Sequence, residues 1–159
     1  GTYLSGRKIN PAPNLFISAV ENPGTHPLDY RIERAIKKQK AGARWLQLQL
    51  CFHMDRLENF CKGVADHGTN LPILPNVILI KGAKGMQFMN ENVRGINIPA
   101  EMIDRVAKAA DPAEEAYQLT LELAKHALAQ PGVRGLHVTD FRHDDSLARL
   151  MTDLGRNPK

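Results

Sequence analysis

The chain has 159 residues, 43% of them hydrophobic, 24% charged and 6% aromatic, with a formal net charge of +4. The length argues for one domain over 1–159, and the apolar share is enough for a packed core. No apolar run approaches the roughly 20 residues of a membrane span, and no signal-like segment is present, so a cytoplasmic location is the expectation. The basic surplus lacks the stripe of cations and aromatics that marks a nucleic-acid surface, so no nucleic-acid partner is expected.

Residues 1–13, rich in Gly, Pro and Asn, read as a leading loop. Leu15 to Val20 is an apolar strand. After the loop ENPGTHPLD, a helix runs from about Asp29 to Ala41, with Gly42 in the usual C-terminal role. Arg31, Arg34, Lys37 and Lys38 recur at three- and four-residue spacings along it, which groups them on one side. The bland reading is a solvated face. The sharper one is a cationic face that holds phosphate through charge-assisted hydrogen bonds. No Gly-rich phosphate loop is present, so such binding would rest on side chains.

Trp45 to Leu50 follows as a strand whose leucines, Leu46, Leu48 and Leu50, alternate with Gln47 and Gln49. A helix over MDRLENFCKGVADHG comes next. Asp55 and Glu58 are spaced as a capping box, and Leu57, Phe60, Cys61 and Val64 form its apolar stripe. A third strand spans Pro72 to Ile80, and a helix runs from about Ala83 to Asn92.

A helix begins near Ala100. Another opens on Asp111 as cap, with Pro112 at its first position and Glu114 as box partner. Its apolar face is Ala116, Leu119, Leu123 and Ala127. The fourth strand is Gly135 to Asp140, with Leu136 and Val138 on one face and His137 and Thr139 on the other. A last helix runs from about Asp144 to Leu154. Cys51 and Cys61 fit no metal-ligand spacing, so both read as ordinary thiols and no metal site is expected.

Four βα units argue for a parallel α/β sheet with right-handed crossovers. Two architectures fit: an open doubly wound sheet, or half of a (β/α)8 TIM barrel, since a complete barrel takes about 250 residues. Parallel sheets covered on both faces are apolar throughout. The glutamines therefore favour a barrel strand, with leucines against the helices and glutamines pointing inward. Gln49, at the C-terminal end, sits where barrel active sites lie. Its amide can bind a planar heterocycle, or the two glutamines can satisfy each other or nearby backbone.

Three stretches carry a family likeness: SAVENPGTHPLDYRIERAIKKQKAGARWLQLQLCFHMDRLENF, KGAKGMQFMNENVRGINIPAEMIDR and PGVRGLHVTDFRHDDSLARLM. In order, they resemble the flavin-dependent 5,10-methylenetetrahydrofolate reductases. The resemblance implies a TIM barrel with FAD at the C-terminal ends of its strands. It implies hydride transfer from a reduced nicotinamide through FAD to the folate, giving methyltetrahydrofolate. It implies cofactor contacts from His26, Arg34, Lys37 and Lys38, and substrate contacts from Gln49, Phe88 and Arg142. Asn22, Arg31, Gly85 and Thr139 depart from common family residues and point to a divergent subgroup.

The likeness covers the second half of the family barrel. The family's general acid lies in the first half, so no catalytic residue is expected here. The expectation is a half barrel, either a fragment or a chain that pairs with another copy or with a complementary half. The alternative is a non-catalytic half-barrel subunit that binds or assembles within a folate or methyl-transfer complex. A pterin-dependent methyltransferase is a weaker third reading, since no thiolate metal site supports it.

Overall fold

The structure, a computed structural model, describes residues 1–156. Five strands and six helices follow in the order β1 Ala19–Glu21, α1 Leu28–Lys40, β2 Leu46–Leu48, α2 Met54–Asp66, β3 Ile73–Leu74, β4 Asn76–Leu79, α3 Ala83–Asn92, α4 Ala100–Lys108, α5 Pro112–Leu128, β5 His137–Asp140 and α6 Ser146–Asp153. Every strand pair is parallel: β1 with β2, β2 with β3, and β4 with β5.

The segment expected as one strand over Pro72 to Ile80 is divided at Pro75. Its first part pairs with β2, its second with β5, and a single parallel bridge between Ile73 and Val133 joins the two ladders. Arg134 donates to the Ile73 carbonyl and His137 to the Pro75 carbonyl. Two residues on one line thus oppose three on the other, which is a bulge around Gly135. Pro75 has no N–H to fill the missing rung.

The apolar pattern of β2 is observed as read. Leu46 and Leu48 are fully buried, packed with Phe60, Cys61 and Val64 of α2 and with Ile32 and Ala35 of α1. Val77 and Leu79 turn toward α5 and α6, against Tyr117, Leu121 and Leu150. The face carrying Val20, Gln47 and Leu74 is left open, and Val20 is 61% exposed. The sheet is therefore one-sided along much of its length and open. No closed barrel forms among the described residues.

Several expected boundaries are corrected. The first strand begins at Ala19 rather than Leu15. The Arg44 N–H still reaches the Ile17 carbonyl, but Leu15, Phe16 and Ile17 lie exposed with nothing packed over them. His53, not Asp55, occupies the N-cap of α2, and no side chain caps it; Asp55 sits in the first turn, where its charge meets the positive end of the helix. Asp111 does cap α5, accepting from the Ala113 and Glu114 amides at 3.0 Å each. Glu114 does not close a box; it forms a two-pronged pair with Arg149 of α6. Helix α6 starts at Ser146, after Asp144 has turned to accept from the Ser146 amide.

Among the described residues no helix is long and apolar enough to cross a membrane. The alternation in β2 sets a direct test. Leu48→Ala should lower stability by about 2–5 kcal/mol in urea unfolding, because it leaves a cavity. Gln47→Ala on the open face should cost less than about 1 kcal/mol. Equal losses would contradict the one-sided burial of this strand.

Candidate functional site

Parallel strands bring their C-terminal ends to one side, and the residues there divide into a cationic cluster and a pocket. The cluster is built on Glu21, the last residue of β1, which is only 3% exposed. A buried carboxylate carries a heavy desolvation cost unless charge and hydrogen bonds offset it. Helix α1 supplies both. Arg34 Nε donates to Glu21 Oε2 at 3.1 Å, Lys38 Nζ donates to the same oxygen at 2.7 Å, and Arg31 approaches Oε1 at 3.5 Å. The Asn22 amide donates to Oε1 as well, and Lys38 also donates to the Val20 carbonyl.

Burial alone would push the Glu21 carboxyl up. Hydrogen bonds from Lys38 and the Asn22 amide, the Lys38 charge and the bond from Arg34 outweigh it and hold the group below its ordinary range. The spacing that grouped the cations on one side of α1 is thus the spacing that lets three of them reach one oxygen pair. Lys37 stands apart, exposed and paired with Glu33 one turn back at 3.7 Å. His26 is exposed and makes no side-chain hydrogen bond among the described residues.

The pocket lies one strand over, where the Gln49 N–H donates to the Glu21 carbonyl at 2.9 Å, and has a volume of about 540 Å³, within the range usual for small-molecule sites. Gln49, Asn76 and Thr139 line it from three neighbouring strand lines. Ile78, Ile80 and Met89 form apolar wall, while Phe88 and Phe141, both more than half exposed, stand at the rim. The Gln49 carboxamide oxygen accepts from the Leu50 N–H at 3.0 Å, which fixes the head group. That bond takes one of the two lone pairs of the oxygen and leaves the amino group, with two donors, unpaired among the described residues. The Thr139 hydroxyl donates to Asn76 Oδ1 at 3.1 Å, and the Asn76 amino group makes no hydrogen bond among the described residues.

Loops at this end are latched together. Asn22 Nδ2 donates to the Gly95 carbonyl at 2.8 Å, His53 pairs with Asn97 at 2.7 Å, and Arg56 donates to the Gly24 carbonyl at 2.7 Å. Gly95 has φ +84, a conformation that favours glycine, and a Cβ there would push on the Asn22 amino group at 2.9 Å. Gly85 also lines the pocket; a Cβ there would meet Ile80 at 2.8 Å, so the wall closes on the glycine itself.

Of the residues singled out from sequence, Gln49 and Phe88 meet in the pocket, and Arg34 and Lys38 meet on Glu21. Arg142 is drawn elsewhere: it donates to the Ala113 carbonyl at 2.7 Å and to Asp144 at 3.1 Å, outside the pocket lining. Glu21 and Asn76 were missed. The signal for each was a lone polar residue at or inside an apolar strand, as in AVE and PNVILI. Both cysteines are free, and burial pushes the Cys51 thiol up to about 11 and the Cys61 thiol up to about 12. Neither is poised as a nucleophile at neutral pH.

A sequence model described as methylenetetrahydrofolate reductase matches residues 13–155. The chain is 30% identical, over 162 aligned positions, to methylenetetrahydrofolate reductase (NADH) 1 of Arabidopsis thaliana; the match takes in 98% of this chain and 27% of that protein. Among solved structures it is similar, with a TM-score of 0.64 and 15% identity, to an uncharacterized protein from Clostridium thermocellum that binds two copies of 5-methyl-5,6,7,8-tetrahydrofolic acid. That likeness covers 86% of this chain and 51% of the other and speaks to fold alone. The chain thus spans about a quarter of one relative and about half of the other.

The cluster makes a pH prediction. Because the folded Glu21 carboxyl lies below its ordinary 4.5, its contribution is complete above about pH 4.5 and is lost as pH falls through the depressed folded value. Urea unfolding from pH 6 to pH 3 should show a steeper acid loss in the wild type than in Glu21→Gln. Parallel profiles would contradict a charged, paired Glu21.

Proposed function

Since the chain belongs to the methylenetetrahydrofolate reductase family, we propose that its pocket binds a reduced folate and that the neighbouring cationic cluster holds the diphosphate of FAD. The observation that carries this reading is one apolar pocket lined by Gln49 just past the end of β2, by Lys81 and Phe141 just past the ends of β4 and β5, and by Thr139 with Asn76 from the start of β4; strand ends are the face where barrel enzymes bind ligands. A pterin presents ring acceptors to the amino groups of Gln49 and Asn76 and a flat face to Phe88.

The residues fit the cofactor's phosphates on an observation independent of family. One carboxylate is met by three cations, so the cluster keeps a surplus of two positive charges. Arg34 meets Glu21 through Nε alone, and its terminal nitrogens, beside Tyr30, make no bond to the carboxylate. His26, on the loop ahead of α1, is proposed as a further cofactor contact, and Lys37 as a peripheral one. Arg142 is proposed to act on substrate only if it leaves Ala113. When bound, FAD supplies hydride carriage from a reduced nicotinamide to methylenetetrahydrofolate. The protein's own part is to orient the folate at Gln49, keep water from the apolar walls and hold the phosphates.

We also propose that further βα units complete the barrel beside this chain. The open β1 edge and the exposed Leu15, Phe16, Ile17 and Val20 support this, since an unpaired edge with uncovered apolar groups invites pairing. Solution scattering of the chain alone should give the mass of two copies or more; a monodisperse monomer would contradict it.

Gln49→Ala should weaken binding of 5-methyltetrahydrofolate about tenfold, the worth of one good hydrogen bond, and leave flavin content unchanged. Calorimetric titration with folate and the visible spectrum of the same samples check this together. Equal loss of folate and flavin binding would mean that Gln49 is structural.

A further inference from the structure

We infer that Glu21 is a positioning residue: it fixes Arg34 and Lys38 so that their unspent donors converge on one phosphate-sized anion. The inference rests on the proposed cofactor site and deepens it. A single cation would neutralise Glu21, yet three surround it. Arg34 and Lys38 bond to the same oxygen, Oε2, at 3.1 and 2.7 Å, so their heads are held close together despite like charge. Arg34 is anchored by Nε alone, and its guanidinium lies over the Tyr30 ring at 5.6 Å to the centroid. Its terminal nitrogens make no hydrogen bond to the carboxylate and lie beside Tyr30, on a side chain that is 40% exposed. Lys38 is further tied to the Val20 carbonyl, and its third donor has no partner among the described residues.

Two effects of Glu21 oppose each other, and their signs separate the accounts. If the carboxylate merely offsets positive charge, removing it strengthens anion binding. If it positions the two cations, removing it weakens binding even though the local charge becomes more positive, because the preorganised fork is lost and must be re-ordered at each binding event.

The test is calorimetric titration of the chain with inorganic pyrophosphate. Wild type, Glu21→Gln and Arg34→Lys are compared, with folding checked by circular dichroism. Positioning predicts at least tenfold weaker binding in E21Q; equal or tighter binding overturns it. R34K keeps the charge but loses the planar fork that lets Nε anchor while the terminal nitrogens stay off the carboxylate. It should weaken binding about fivefold, and unchanged affinity overturns the inference. Because Arg34 is on the surface, R34K decides the matter if E21Q does not fold. Wild type that takes up no pyrophosphate overturns the cofactor-site reading itself. Wild-type binding that both variants retain overturns only the role of Glu21. Titration with 5-methyltetrahydrofolate should be unmoved in both variants, which separates this cluster from the pocket.

Discussion

Parallel strand pairing is the constraint from which the rest of the site follows. Because β1, β2, β4 and β5 run the same way, Glu21, Gln49, Lys81 and Asp140 all emerge at one end of the sheet. No single segment of sequence contains a site. The sheet makes one by bringing four strand ends together, and the bulge at Pro75 and Gly135 re-aims the middle line so that Asn76 and Thr139 face the same space as Gln49.

The charge arrangement follows from burial in the same way. Glu21 ends a strand whose neighbours are apolar, so its carboxylate sits out of water and needs partners from the adjacent element. Helix α1 packs next to β1 and offers cations at helical spacing. The outcome ties the edge strand to its helix and leaves surplus positive charge along the inner side of α1. Surface pairs such as Lys37 with Glu33 contribute little by comparison, because water already screens them.

Much of this was legible from the residues. The alternation of Leu46, Leu48 and Leu50 with glutamines marked both the strand and its open face, and Asp111-Pro112 marked the start of α5 to the residue. Helix α3 falls at Ala83–Asn92 as its pattern reads. What was not legible depended on contacts between distant segments. The partner of Arg34 and Lys38 lies on another element, so periodicity alone gave a cationic face without its buried anion. Glu114 was spaced to close a capping box, but Arg149 offered a stronger, bidentate partner. Leu15 to Ile17 are as apolar as a strand should be, and remain uncovered because the described chain places nothing over them.

Folate binding in the pocket at the strand ends is the proposal on which the function rests. Hydrogen exchange with and without 5-methyltetrahydrofolate tests it most directly, because it reports where the ligand lies rather than whether one binds. Slowed exchange is expected at residues 49–51, across α3 and at residues 139–142, with the opposite end of the sheet unchanged. Protection confined to the loops before β3 and β5, around Asn70 and Gly132, would contradict it.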